Sequence, residues 1–317
     1  MLTVSEEKIV DYDLTARIAT EAFGSKAVVF SAERMKWLYE RSFGQGSTIL
    51  SVFDGGAKVG QMVLVHQKIN SGGAPGATTQ LVDLFILQAY RSPQLVRRIY
   101  KEVERLCVAQ NIRFILALPN ENAKPLNARL LKLSPLLWMQ IRAGLAFSSS
   151  GFWWPRTSRL KYSGHFKSMT KQDALDLFSG FDTPATENGL HWDGDILFDR
   201  LSDPTCDYAV HATADLLLIS SSRKTRGIRY ALLCGFFVRP QTSVTSGTVH
   251  ELIRAACRLW KHSLFVYAGV NKSLPALPGI VLPARLRPPM LVQLRDLNTD
   301  ALDIRFDRFQ LIDSDFV

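Results

Sequence analysis

Cysteine is scarce in this chain. Its 317 residues hold four, Cys107, Cys206, Cys234 and Cys257, far apart and without a CxxC pair. That spacing argues against a zinc site or a disulfide framework and fits a reducing, cytoplasmic setting. Long apolar runs are also missing, since none approaches the roughly 20 residues that a membrane helix needs. The stretch Met1 to Asp13 carries Glu6, Glu7 and Asp11, with no apolar segment of the kind a secretory signal requires. There is no HExxH, GxSxG or GxGxxG. Gly55 to Gly60 has the glycine spacing of a phosphate-binding loop but continues into Gln61-Met62 where that loop has Lys-Ser/Thr. It reads better as a hairpin turn. The six histidines (66, 165, 191, 211, 250 and 262) show no ligand spacing, so no metal is expected. His66 and His211 fall on strands, where a core or edge histidine is the commoner case.

What is present is an ordinary globular composition, 47% hydrophobic and 21% charged, with a length that allows two domains. The net charge of +9 favours anionic partners. It is scattered, with small groups at Arg97–Arg98–Lys101–Arg105, Arg223–Lys224–Arg226 and Arg285–Arg287. The first of these recurs at helical spacing, which is usual for a solvated helix face.

A faint internal repeat organises the chain. Asp11 to Phe23 opens an amphipathic helix with acidic residues at its start, and Thr170-Lys-Gln-Asp173 looks like a capping box before Ala174–Phe178. Glu33–Arg41 is matched by Gly194–Leu201, and each feeds a strand, Thr48–Phe53 and Tyr208–Thr213. Asp54-Gly-Gly-Ala signals a hairpin into Val59–Val65. Later, strand (Gln80–Leu87), helix (93–110) and strand (Arg113–Asn120) recur as strand (Arg229–Val238), helix (248–261) and strand (Leu264–Asn271). The expected division is 1–147, a linker at 148–164 with Ser148-Ser-Ser-Gly151, and 165–317. Trp153 and Trp154 would stack on a ligand or, more often for such a pair, pack into the seam between domains.

The order helix, helix, hairpin, strand, helix, strand resembles the GNAT acyltransferase superfamily. Its sharpest match is Ile86-Leu-Gln-Ala-Tyr-Arg91-Ser-Pro-Gln-Leu-Val96, set against the family's V-x-P-x-Y-R-G-x-G-x-G/A, and Pro119-Asn120-Glu-Asn122-Ala123 resembles its P-N-x-x-A segment. The resemblance implies an α/β (α+β) fold of two GNAT-like domains in tandem, each a mixed twisted sheet flanked by helices. It also implies acetyl-CoA or another acyl-CoA as donor substrate. The cofactor-binding candidates are Ile86, Leu87, Arg91, Ser92, Gln94, Leu95, Val96, Asn120 and Asn122. Backbone N–H groups at a strand-to-helix turn would take the pyrophosphate. Gln94 and Val96 stand where the pattern has glycine, Pro93 removes a donor, and Arg91 and Ser92 would compensate by charge and hydroxyl. Thr242 to Thr248 is the matching hydroxyl-rich loop of the second half. The terminal Phe309–Val317 suits a last strand.

The candidate base is Asp83, within the apolar Leu81-Val-Asp-Leu-Phe-Ile86. An acid inside such a strand is costly unless paired; the alternative is a carboxylate on the exposed side of an alternating strand. No tyrosine follows Asn120 in the segment where the family often places its acid. Three functions stay open: an acyltransferase acting on the amine or hydroxyl of a small-molecule acceptor, a Fem-type enzyme using aminoacyl-tRNA, and a non-catalytic ligand-binding or interaction module. A tRNA partner belongs only to the second.

Overall fold

The computed structural model describes residues 1–24, 30–146, 159–299 and 304–315. Local signals set most element boundaries. After β1 (Leu2–Glu6), the Asp11 carboxylate accepts the Leu14 amide and starts α1 (Tyr12–Phe23). Ser31 does the same for α2 (Ala32–Glu40). Strands β2 (Ser47–Asp54) and β3 (Ala57–Ser71) are joined by Gly55 and Gly56, whose φ of 55° and 91° is what a tight hairpin turn demands. Then follow β4 (Ala74–Ile86), a 3₁₀ turn (Gln88–Tyr90), α3 (Pro93–Ala109), β5 (Phe114–Ala117), α4 (Ala123–Leu131), β6 (Ser134–Met139) and β7 (Ile141–Leu145).

Among the described residues the second half repeats this order with a short strand added between its first two helices and no helix to match α4. It runs β8 (Tyr162–His165), α5 (Lys171–Phe178), β9 (Gly189–Leu190), α6 (Gly194–Leu201), β10 (Tyr208–Ala212), β11 (Leu216–Thr225) and β12 (Ile228–Val238). It continues through α7 (Ser246–Trp260), β13 (Leu264–Asn271), β14 (Ile280–Val281), β15 (Met290–Asp296) and β16 (Arg308–Gln310). Thr170 and Asp173 form the expected capping box at α5. Arg91 and Arg239 expose the repeat most clearly. Each follows its central strand and bonds to the end of the first helix of its half. Arg91 donates to the carbonyls of Ile86 and Ala22, and Arg239 to those of Ala214 and Ser179.

The two halves exchange a strand. One sheet is ordered β1-β2-β3-β4-β5-β15-β6, so β15 of the second half lies between two strands of the first. The other is ordered β8-β10-β11-β12-β13-β7-β14, with β7 of the first half in the corresponding place. The short strands β9 and β16 join the sheets through β3 and β13. Among the described residues, the parallel contact within each sheet is at its centre, β4 with β5 and β12 with β13. The expectation for Phe309–Val317 is corrected here. Among the described residues of this segment only Arg308–Gln310 is a strand, Leu311–Asp313 is a 3₁₀ turn, and β7 from the other half fills the last-strand place.

Burial follows this arrangement. A central core holds Trp37, Tyr39, Phe43, Trp192, Leu197 and Phe309 between the two halves, and the apolar face of α3 (Leu95, Ile99, Val103, Leu106) covers one sheet. Leu252, Ile253 and Ala256 of α7 cover the other. The four cysteines are buried and unpaired. His211 is a core histidine between the hydroxyls of Ser163 and Ser220, at 2.8 and 2.9 Å. Among the described residues, no helix is long and apolar enough to cross a membrane. No group of three metal-ligating side chains occurs among them. Trp153 and Trp154 lie outside the described residues.

Candidate functional site

The central strand pairs separate toward their ends, and this opening is where the halves differ. In the first half β4 and β5 pair over Thr78–Leu81 and Phe114–Ala117, and among the described residues no strand enters the gap beyond. A cleft of about 630 Å³ opens there, with a mainly apolar wall of Phe23, Leu84, Phe85, Ile86, Leu126 and Leu130. Arg91, Arg97 and Arg129 supply positive charge around it. Of the sequence-derived candidates, Ile86, Arg91, Ser92, Val96 and Asn122 line the cleft, while Leu87, Gln94, Leu95 and Asn120 do not.

In the second half β12 and β13 pair over Ala231–Leu233 and Phe265–Tyr267, and the same opening is filled by the chain itself. Strand β16 pairs with Gly269–Asn271. The Gln310 carboxamide then meets both polar groups of the Phe236 peptide: Phe236 N–H donates to Gln310 Oε1 at 2.8 Å, and Gln310 Nε2 donates to Phe236 O at 3.0 Å. Tyr267 and Asn271 add bonds at 3.1 Å each, to Gln310 Oε1 and Phe236 O. These side chains satisfy backbone groups that a neighbouring strand would otherwise take. The loop Thr242–Thr248 serves as a cap, with the Thr245 hydroxyl accepting the Thr248 amide.

At the start of α3 most donors are already engaged. Pro93 has none. The Tyr90 and Arg91 amides bond to Leu87 and Gln88 carbonyls, the Leu95 amide to the Ser92 hydroxyl, and the Val96 amide to the Ser92 carbonyl. From Tyr90 to Val96 this leaves the Ser92 and Gln94 amides. The Arg91 guanidinium is held by its two carbonyls, while the Ser92 oxygen accepts the Leu95 amide and keeps its own O–H as a donor. Asn120 shapes the approach to α4, its Oδ1 accepting the Asn122 and Ala123 amides.

Asp83 sits where β4 departs from regular pairing. The register with β3 shifts between Gln61 and Val63, and Asp83 has φ 48°. An aspartate tolerates this left-handed conformation better than the apolar residues around it. The bulge takes Asp83 out of the strand's alternation. Its half-buried carboxylate accepts the Tyr39 hydroxyl at 2.6 Å, and that hydroxyl accepts Gln61 Nε2 at 2.9 Å. Burial raises the Asp83 carboxyl above the usual aspartate range, against the lowering effects of the Tyr39 bond and Arg34. Tyr39 is pushed well up by burial and then by the Asp83 charge. Tyr39 and Gln61, which the sequence reading missed, stand beside Asp83 although 44 and 22 residues separate them from it in the chain.

The fold is shared with solved structures of acyl-group transferases, at low identity. A probable N-acyltransferase from Enterococcus faecalis aligns with TM-score 0.63 and 13% identity over 94% of this chain and 73% of its own. A tandem GNAT protein from the clavulanic acid biosynthesis pathway aligns with TM-score 0.54 and 12% identity over 93% and 98%. Saccharomyces cerevisiae N-myristoyltransferase, solved with myristoyl-CoA, aligns with TM-score 0.56 and 12% identity over 93% and 79%. No family model matches the chain, and neither does any curated protein. The chain has the tandem GNAT fold, with two GNAT-like α/β domains.

Proposed function

We propose that this protein is an acyltransferase that takes an acyl group from acetyl-CoA or another acyl-CoA and passes it to the amine or hydroxyl of a small acceptor. The reading assigns donor binding to the first domain, 1–147, and a supporting role to the second, 165–317. It also implies a cytoplasmic setting. The observation that carries it is the first-half cleft. Its wall includes Leu84, Phe85 and Ile86, directly after the Asp83 bulge, and three arginines stand around it. An apolar groove with cationic edges suits a pantetheine chain and its phosphates.

In this reaction Asp83 takes the proton from the attacking nitrogen or oxygen. Attack on the thioester carbonyl forms the new C–N or C–O bond, the C–S bond breaks, and the departing thiolate takes up a proton. Tyr39 orients Asp83 by its hydrogen bond. Calorimetry on the full chain with acetyl-CoA and longer acyl-CoAs tests the donor site; heats that indicate no binding tighter than millimolar for any of them overturn the reading. Asp83→Asn is expected to lower turnover at least about 100-fold while leaving donor affinity within about twofold. A second reading, a ligand-binding module without catalysis, is favoured by the engaged donors at the start of α3. It predicts no acyl transfer from acyl-CoA to any amine or alcohol.

A further inference from the structure

The first-half cleft has a charged side and an apolar side. Arg97 of α3 and Arg129 of α4 stand exposed on the side lined by those helices. The ends of β4 and α1 supply the apolar side, with Leu84, Phe85 and Phe23, and Leu84 directly follows the Asp83 bulge. Phe23 is the last residue of α1 and is 46% exposed although its ring has apolar neighbours. It stacks on Phe30 with ring centroids 5.3 Å apart, and it lies edge-to-face with buried Phe85 at 6.4 Å. Arg91 bonds the Ala22 carbonyl as well as that of Ile86. The backbone that carries the Phe23 ring is therefore tied to the end of β4.

These two sides divide a CoA thioester between them. Its phosphates go to Arg97 and Arg129, since the Arg91 guanidinium is already bonded to two carbonyls. Pro93 offers no donor at the start of α3, and most of the amides around it are engaged. Less of the donor's affinity can then come from its phosphate end. The thioester lies toward Asp83, and whatever extends past its carbonyl runs along Leu84, Phe85 and Phe23. An acetyl methyl covers little of that wall. A phenyl ring nearly half exposed inside a cleft is apolar surface that a hydrocarbon chain removes from water.

We propose that the donor carries a hydrocarbon acyl chain longer than acetyl, and that Phe23 is the residue that selects it. This deepens the acyltransferase reading above and rests on it. The bonds made and broken are the same, and only the group transferred is specified. Each methylene buried on the wall adds about fourfold in affinity, so two of them are worth about 16-fold.

Calorimetry on the full chain with CoA, acetyl-CoA and octanoyl-CoA tests this without any acceptor. Octanoyl-CoA is expected to bind at least about tenfold tighter than acetyl-CoA. Phe23→Ala is expected to lower that ratio at least about fourfold, the worth of one buried methylene. Phe23→Leu should restore most of it, because leucine keeps apolar surface at the same place, whereas a general loss of folding would not be rescued in this way. A wild-type ratio short of tenfold, with acetyl-CoA bound, overturns the longer chain and leaves the donor site standing. A tenfold ratio that Phe23→Ala lowers by less than fourfold overturns the role of Phe23. If none of the three ligands binds more tightly than millimolar, the acyltransferase reading itself fails.

Discussion

His211 makes the folded protein sensitive to acid in a way that can be isolated. The imidazole is wholly buried between Ser163 and Ser220, and Trp260 Nε1 also donates to the Ser220 hydroxyl at 2.9 Å. Burial, with a smaller effect from His165, lowers its pKa from 6.5 to about 3. The unfolded chain therefore binds a proton below pH 6.5 that the folded chain refuses until about pH 3. Stability from this group is complete above pH 6.5 and declines as pH falls through that window. At about 1.4 kcal/mol per unit, the loss by pH 5 is about 2 kcal/mol. Asp313 and Asp315 act in the opposite sense. Both are raised from 3.8 to about 6, so the folded state gains on them as the pH falls. A bare pH profile would mix the two signs. The assay is urea unfolding of the wild type and His211→Gln at pH 7 and pH 5. Glutamine retains a donor and an acceptor for the serines, and its own cost at pH 7 is about 1–3 kcal/mol. Between the two pH values the wild type should lose about 2 kcal/mol more than the variant. The same change in both proteins refutes the reasoning.

Two further outcomes follow from the fold and the cleft. Leu294→Ala, at a fully buried position of the exchanged strand β15, should cost about 2–5 kcal/mol. Because each sheet holds a strand of the other half, unfolding should still be a single transition by circular dichroism and by tryptophan fluorescence; two separate transitions would count against coupling through the exchange. Reversing the charge of the cleft by Arg97→Glu with Arg129→Glu should weaken acetyl-CoA binding at least about tenfold at low salt and less in 0.5 M salt, since exposed charges are screened. Calorimetry at the two ionic strengths reads this directly.

Much of the local structure was legible in the sequence. The Thr170–Asp173 capping box forms as expected, and Asp11 caps the helix it opens, because capping is a matter of three or four neighbouring residues. The same holds for the Gly55-Gly56 turn and the apolar spacing of α3. The site was legible only in fragments. Asp83 stands out as an acid in an apolar run, but neither its bulge nor its bond to Tyr39 has a local signature. Arg91 and Ser92 are where the strand-to-helix loop puts them, yet Arg91 is bonded to the Ile86 and Ala22 carbonyls and the Ser92 oxygen accepts the Leu95 amide.

By itself the sequence determined the elements and their order, because amphipathic periods, caps and turn glycines act over a few residues. The tertiary structure decided which strands become neighbours. A seven-residue strand such as Met290–Asp296 carries no mark saying that its partners, Phe114–Ala117 and Ser134–Met139, lie in the other half. Pairing is chosen by burying the most apolar surface with every backbone group satisfied, and that is a property of the whole chain. The same competition left one central opening free as a cleft and filled the other with Gln310. It also carried Asp315 to Gln80, 235 residues away in the chain, a separation that no local pattern spans.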